Sequence, residues 1–227
     1  MTFDVSALNA LYATISAESG VEVSELRLLV GHMAQQAMSK PDLAAFRMAQ
    51  GPWKELHDEV IPVMHFLSAG HTDTTRVRFS LDSSPYDAWV APTAGEPFYI
   101  EVTEALARSS KESAKNMQAK GAVSGFLGLQ DHLPQSEFES AKERNRIFHS
   151  RAGVYRALDA GISTAMTKKN KSKYAGFTLL IACDMAMCRT RSDEEWRTAL
   201  SAQAVELPFA QVYLISSGTG SRIVRLK

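Results

Sequence analysis

The chain is short of several things, and each shortage narrows what it can be. Its 227 residues include two cysteines, Cys183 and Cys188. Two are too few for a disulfide framework, and their spacing fits no common zinc-ligand pattern. Reduced thiols in a cytosolic protein are the expected state. No apolar run reaches the roughly 18 residues of a membrane span. The first ten residues, MTFDVSALNA, lack the basic start and apolar stretch of a secretory leader. Together these features predict a cytoplasmic location and no membrane partner. Neither a GxSxG elbow nor a GxxxxGK[ST] phosphate loop occurs: Ser83-Ser84 and Ser216-Ser217 sit in turn sequences, and GAVSGFLG is only a glycine-rich break. There is no internal repeat and no low-complexity linker.

Net charge is also lacking, with 25 basic and 25 acidic residues, but the balance is uneven along the chain. The first sixty residues carry eight acids and four bases, whereas Lys142 to Arg191 carry eleven bases against Glu143, Asp159 and Asp184. A basic segment over 142–173 is compatible with DNA or RNA as a partner, and equally with a solvated helix face.

A hydrophobic content of 45% over this length supports a real core. The first seventy residues carry apolar positions at helical spacing, such as Leu26, Leu29, Val30, Met33 and Ala37. The stretch from Trp53 to Phe66 is a further helix, with Pro62 as a candidate kink. From Thr75 the pattern turns to strands: RVRFSL, AWVA and FYIEVT, with the loop PTAGEP between the last two. Residues 104–120 read as helix, as do about 136–150 and the long stretch AGVYRALDAGISTAMTKKNKSKY. GFTLLIAC is a nearly continuous apolar run, expected of a strand buried on both faces. SDEEWRTAL opens a helix with an N-cap serine, and QVYLIS with RIVRL form a closing hairpin. The order predicts an α/β protein with a mixed sheet flanked by helices: a helical region over 1–74 packed on an α/β core over 75–227. The helical start is left open as part of the core, a partner-binding extension or a homodimer contact.

Within PFYIEVTEAL, Glu101 interrupts an apolar strand, which is costly unless the charge is solvated, paired or bound to metal. A symmetric hairpin centred near Ala94 makes paired residue numbers sum to about 188, placing Asp87 opposite Glu101. Alternation puts Tyr99, Glu101 and Thr103 on one face, with Ile100 and Val102 on the other. Two facing carboxylates repel, and a magnesium-class cation would turn that repulsion into binding. The bland alternatives are a turn aspartate after Pro85 and a solvated strand glutamate.

SPYDAWVAPTAGEPFYIEVT resembles the core of the PD-(D/E)xK nuclease superfamily, in which a Pro-Asp is followed by an acid-x-Lys triplet in the next strand. The resemblance spans roughly residues 75–183, and EVTEAL together with KKNKSKY before an apolar strand resembles a bacterial branch with Glu-x-Thr in place of Glu-x-Lys. It implies a restriction-endonuclease-like fold, Asp87 and Glu101 as ligands of Mg²⁺ or Mn²⁺, and hydrolysis of nucleic acid. Tyr86 is inserted between Pro85 and Asp87, and Thr103 occupies the place of the lysine without its charge. Some members supply that lysine from a neighbouring helix. Here Val154, Leu158, Ile162 and Ala165 form a stripe whose next steps land on Lys169 and then Lys173. A lysine stem can follow such a stripe while its ammonium reaches a polar pocket; lysines in a last helical turn also simply answer the helix dipole. Glu25 is the candidate for an acid contributed by an N-terminal helix. His65, His71 and Asp73 have no metal-specifying spacing, and Trp53, Trp89 and Trp196 are too dispersed in sequence to read as a base-stacking platform. Three readings stand: a metal-dependent nuclease, a catalytically inactive nuclease-fold module that binds nucleic acid or protein, and an unrelated α/β protein with two acids brought together by chance.

Overall fold

In the computed structural model, residues 2–82, 84–121, 128–143, 150–217 and 222–227 are described. The chain opens with β1 (Thr2–Phe3), α1 (Val5–Ile15), β2 (Val21–Glu22), α2 (Val23–Ala34), β3 (Ala37–Met38) and α3 (Lys40–Arg47). Next come α4 (Trp53–Glu55), a π-helical turn (Leu56–Val60) and α5 (Ile61–Gly70), running on without interruption. The meander follows as β4 (Arg76–Phe79), β5 (Ala88–Ala91) and β6 (Phe98–Glu104). After α6 (Ala107–Lys120), α7 (Gln135–Glu143) and α8 (Arg151–Lys169), the chain returns through β7 (Thr178–Cys183), α9 (Asp193–Val205), β8 (Gln211–Ser216) and β9 (Ile223–Arg225).

Seven strands form one mixed sheet in the order β2-β4-β5-β6-β7-β8-β9. The fold is therefore α/β, with a mixed sheet flanked by helices. β6 is the seam: it pairs antiparallel with β5 and parallel with β7. Alternation along the strands feeds two cores. Val77, Phe79, Ala88, Val90, Ile100 and Val102 face α1, α2 and α5 in one cluster. Leu179, Ile181, Val212 and Leu214 face α8 and α9 in the other. The N-terminal helices thus share the first core with the sheet. Every residue of β7 is buried, as its unbroken apolar run requires.

Local signals account for most boundaries. Ser192 and Glu195 close a capping box on α9, and Ser150 caps α8. Three boundaries differ from the expectation. β6 runs one residue further, to Glu104, and α6 begins only after Leu106, which takes a left-handed conformation. α8 ends at Lys169, and a 3₁₀ turn over Ser172–Tyr174 follows, so Lys173 leaves the apolar stripe. Pro62, which has no amide hydrogen to give, is accommodated by the π-helical turn just before it. The short strands β1, β2 and β3 lie inside what the periodicity presents as helix; a two-residue pairing leaves no periodic trace. Of the expected helix over 136–150, residues 144–149 lie outside the described residues, as does much of the glycine-rich break.

Gly20 takes φ +60°, and a β-carbon there would stand 2.6 Å from the Val77 carbonyl oxygen. Gly20→Ala combines left-handed strain with a clash against backbone. It is expected to cost about 1–3 kcal/mol, read as a lowered denaturant midpoint, and unchanged stability would contradict this account of the β2 approach.

Candidate active site

The β5–β6 hairpin has the register expected from its symmetry, with Ala88 opposite Ile100 and Val90 opposite Phe98. Asp87 sits where β5 begins. Its amide donates to the Ile100 carbonyl at 2.9 Å, and its own carbonyl accepts from Ser80 at 2.9 Å. Its carboxylate accepts the Val102 amide at 2.6 Å, completing the ladder with a side chain. One carboxylate oxygen is engaged in this way.

Glu101 is only 6% exposed. Its compensation is Lys169, whose ammonium donates to Glu101 Oε1. The stripe on α8 explains this: Leu158, Ile162 and Ala165 are buried in the second core, and Lys169 extends that face beyond the end of the apolar cover. Burial pulls the Lys169 ammonium down, but the hydrogen bond and charge of Glu101 outweigh it and leave its pKa raised. Lys169 also lies 5.6 Å over the Tyr174 ring. Lys173 stands over the same ring at 4.6 Å, and it does not line the hollow beside the carboxylates.

A hollow of about 400 Å³ opens here, lined by Lys54, Asp58, Glu59, Asp87, Thr103, Glu104, Lys111, Lys168 and Lys169 among others. The lysine place of the strand triplet is therefore filled by Thr103 on the wall, with Lys169 arriving from α8. Arg108 and Asp131 also line the hollow but are held by structure. Asp131 accepts the amides of Ala107 and Arg108 at 3.1 and 2.9 Å, capping α6, and Arg108 donates to the Leu133 carbonyl at 2.6 Å. Leu106, left-handed at φ 60°, is pressed against Gly161 of α8, which ties the start of α6 to the helix that carries Lys169.

The acid missing from the sequence reading is Glu59. It lies on the π-helical turn between buried Leu56 and Val60, and π-turns of this kind are frequent at functional sites. The available signal was an acid between two core positions one turn before a helical proline. Glu25, the residue expected in that part, lies elsewhere: it lines a larger hollow of about 880 Å³ between α1 and α2. Glu104 and the His57–Asp58 pair, joined at 2.8 Å, complete the neighbourhood. Asp73 pairs with Arg27 at 2.5 Å, and His71 stacks among Phe66 and Phe98.

Burial raises the Asp87 carboxyl to about 6, with the nearby Glu101 charge adding to the shift. Burial raises Glu59 to about 8, and the charge of Asp87 adds to it. Glu104 is also raised by burial. The donor set is thus hard carboxylate oxygen under mutual repulsion, which suits a magnesium-class cation. Among the described residues, no group of three or more His, Cys, Asp or Glu side chains is arranged to enclose a metal.

Of the basic segment 142–173, Lys142 is engaged by Glu139 at 2.8 Å and Glu112 at 3.3 Å, while Arg144 and Arg146 lie outside the described residues. Lys168, Lys171 and Lys173 are exposed at the end nearest the carboxylates. No helix among the described residues is long and apolar enough to cross a membrane. Compared with known proteins, the chain matches no family model, no curated protein and no solved structure.

Removing Lys169 leaves Glu101 charged and enclosed. Lys169→Met is expected to lower stability by roughly 2–4 kcal/mol, and adding Glu101→Gln to restore most of it; a double variant as unstable as the single one would mean the pair is not coupled. The raised carboxyls also carry a pH signature. Both folded-state pKa values lie above the unfolded ones, so the unfolded chain ionises first and stability falls as pH rises through the window. Relative to Glu59→Gln, the wild type is expected to lose melting temperature steadily between about pH 5 and pH 8, with the slope fading as pH passes the folded-state value; parallel curves would rule out a protonated Glu59.

Proposed function

We propose that the protein is a metal-dependent phosphodiester hydrolase acting on nucleic acid, with a restriction-endonuclease-like arrangement of two strand carboxylates and a lysine supplied from a helix. The observation that carries this reading is the meeting of Lys169 with Glu101 beside Asp87, at the rim of a charged hollow, where Thr103 stands in the usual lysine place.

Asp87 and Glu101 would hold Mg²⁺ or Mn²⁺. When bound, the cation supplies Lewis-acid polarisation of a phosphoryl oxygen and offsets negative charge. The chain's own groups do the rest. An ammonium has three donors, and Lys169 spends one on Glu101; the others are left to orient a water or to donate to a phosphate oxygen as charge develops on it. Thr103 contributes a hydroxyl to the wall but no charge. Glu59, on the wall of the hollow and protonated near neutral pH, would give a proton to a departing oxygen. Exposed Lys168, Lys171 and Lys173 would follow the phosphate backbone without sequence preference, weakening with salt.

A second reading is kept, since a specific observation favours it. Glu101 is already neutralised by Lys169, and a closed ion pair is what a catalytically inactive nuclease-fold module, binding nucleic acid or protein, would retain.

The test is cleavage of labelled single- and double-stranded DNA and RNA with Mg²⁺ or Mn²⁺, beside metal titration by calorimetry. Cleavage is expected to be lost with chelator and in Asp87→Asn and Glu101→Gln, and to fall roughly 10²–10³-fold in Lys169→Met. Neither metal binding nor cleavage of any substrate by the folded wild type would remove the hydrolase reading and leave the binding module.

A further inference from the structure

On the sheet face that carries Glu101, three residues form one cross-strand row: Arg78 opposite Trp89, and Trp89 opposite Tyr99. All three are open to solvent at least in part, and Tyr99 is 37% exposed. Trp89 and Tyr99 belong to neither core cluster. Trp53 and Trp196 are buried in opposite cores, so the tryptophans do not form a platform together; Trp89 instead has Tyr99 as its cross-strand neighbour. Tyr99 meets Tyr86 at 4.5 Å and Phe177 at 5.1 Å between ring centroids, and Phe177 meets Tyr174 at 6.2 Å. Arg78 stands 5.4 Å over the Trp89 ring, and exposed Lys173 stands 4.6 Å over Tyr174, a buried ring of the second core.

We propose that this row is a stacking floor for the bases of a single-stranded nucleic acid; the inference rests on the hydrolase reading above and names its substrate class. Aromatic faces open to solvent can be used only by bases free of their own stack, which a duplex does not offer. Arg78 and Lys173 match the phosphates between those bases, whereas an apolar protein partner would have to strip water from both cations. The floor is also continuous with the site. Tyr99 and Glu101 share a face two residues apart, and Tyr86 directly precedes Asp87, so a base lying on Tyr99 brings its own phosphate toward the carboxylates.

The test is fluorescence anisotropy of a short labelled oligothymidylate, and of a duplex of equal length, titrated with the full chain in chelator so that no cleavage occurs. The single strand is expected to bind at least roughly tenfold tighter than the duplex. Tyr99→Ala and Trp89→Ala are each expected to weaken it by roughly tenfold, in the range of one stacked base, while Tyr99→Phe, which keeps the ring, binds as the wild type. Tyr99 is exposed, so its variants keep the test decisive should Trp89→Ala fail to fold. Equal binding of duplex and single strand, no binding of either, or an unchanged affinity in Tyr99→Ala would overturn the floor. A protein that binds in this way but cleaves nothing with metal would overturn the hydrolase reading alone.

Discussion

A carboxylate enclosed in the middle of a sheet must be neutralised, and the arrangement around Glu101 follows from that constraint. β6 is the seam between antiparallel and parallel halves of the sheet, so Glu101 has strands on both sides and a helical layer above. Water cannot solvate it at 6% exposure. Lys169 does so instead, from the last turn of a nineteen-residue helix whose apolar stripe is anchored in the second core. The position of α8 on the sheet and the charge state of the strand are therefore one problem with one solution.

Asp87 meets a related constraint by different means. The Val102 amide lies beyond the β5–β6 pairing, and the Asp87 carboxylate accepts its hydrogen bond. A group held in this way is pre-positioned, which a catalytic or metal-binding carboxylate needs and which a purely structural one also displays. What separates the readings is the surroundings. Two further acids, on the π-helical turn and at the end of β6, raise the cost of keeping every carboxylate ionised, and such perturbed groups gather more often at functional sites than elsewhere.

Much of the frame was legible in the sequence because its signals are local. Alternation in RVRFSL and FYIEVT, the unbroken run in GFTLLIAC and the serine before DEEW each report on a few neighbouring residues, and each corresponds to an element. The hairpin register could be read because a short loop constrains both strands at once. Helix ends were less legible: Lys173 looked like one more step of a stripe, yet α8 stops four residues earlier, where no core remains to cover it. The hairpin face of Trp89 and Tyr99 was hidden for another reason. Each ring is unremarkable in its own segment, and only cross-strand pairing sets them in a row with Arg78.

By itself, the sequence determined the α/β class, the register expected of the β5–β6 hairpin, and the face of α8 on which Lys169 lies, since these depend on period and spacing within a segment. Only the tertiary structure decided that Glu59 rather than Glu25 stands near the carboxylates, and that Lys169 closes on Glu101 while Lys173 turns to Tyr174. Those outcomes depend on how helices distant in sequence settle on the sheet. A π-turn before Pro62, a left-handed Leu106 against Gly161 and the length of apolar cover over β7 set that placement, and none of them leaves a periodic mark in the chain.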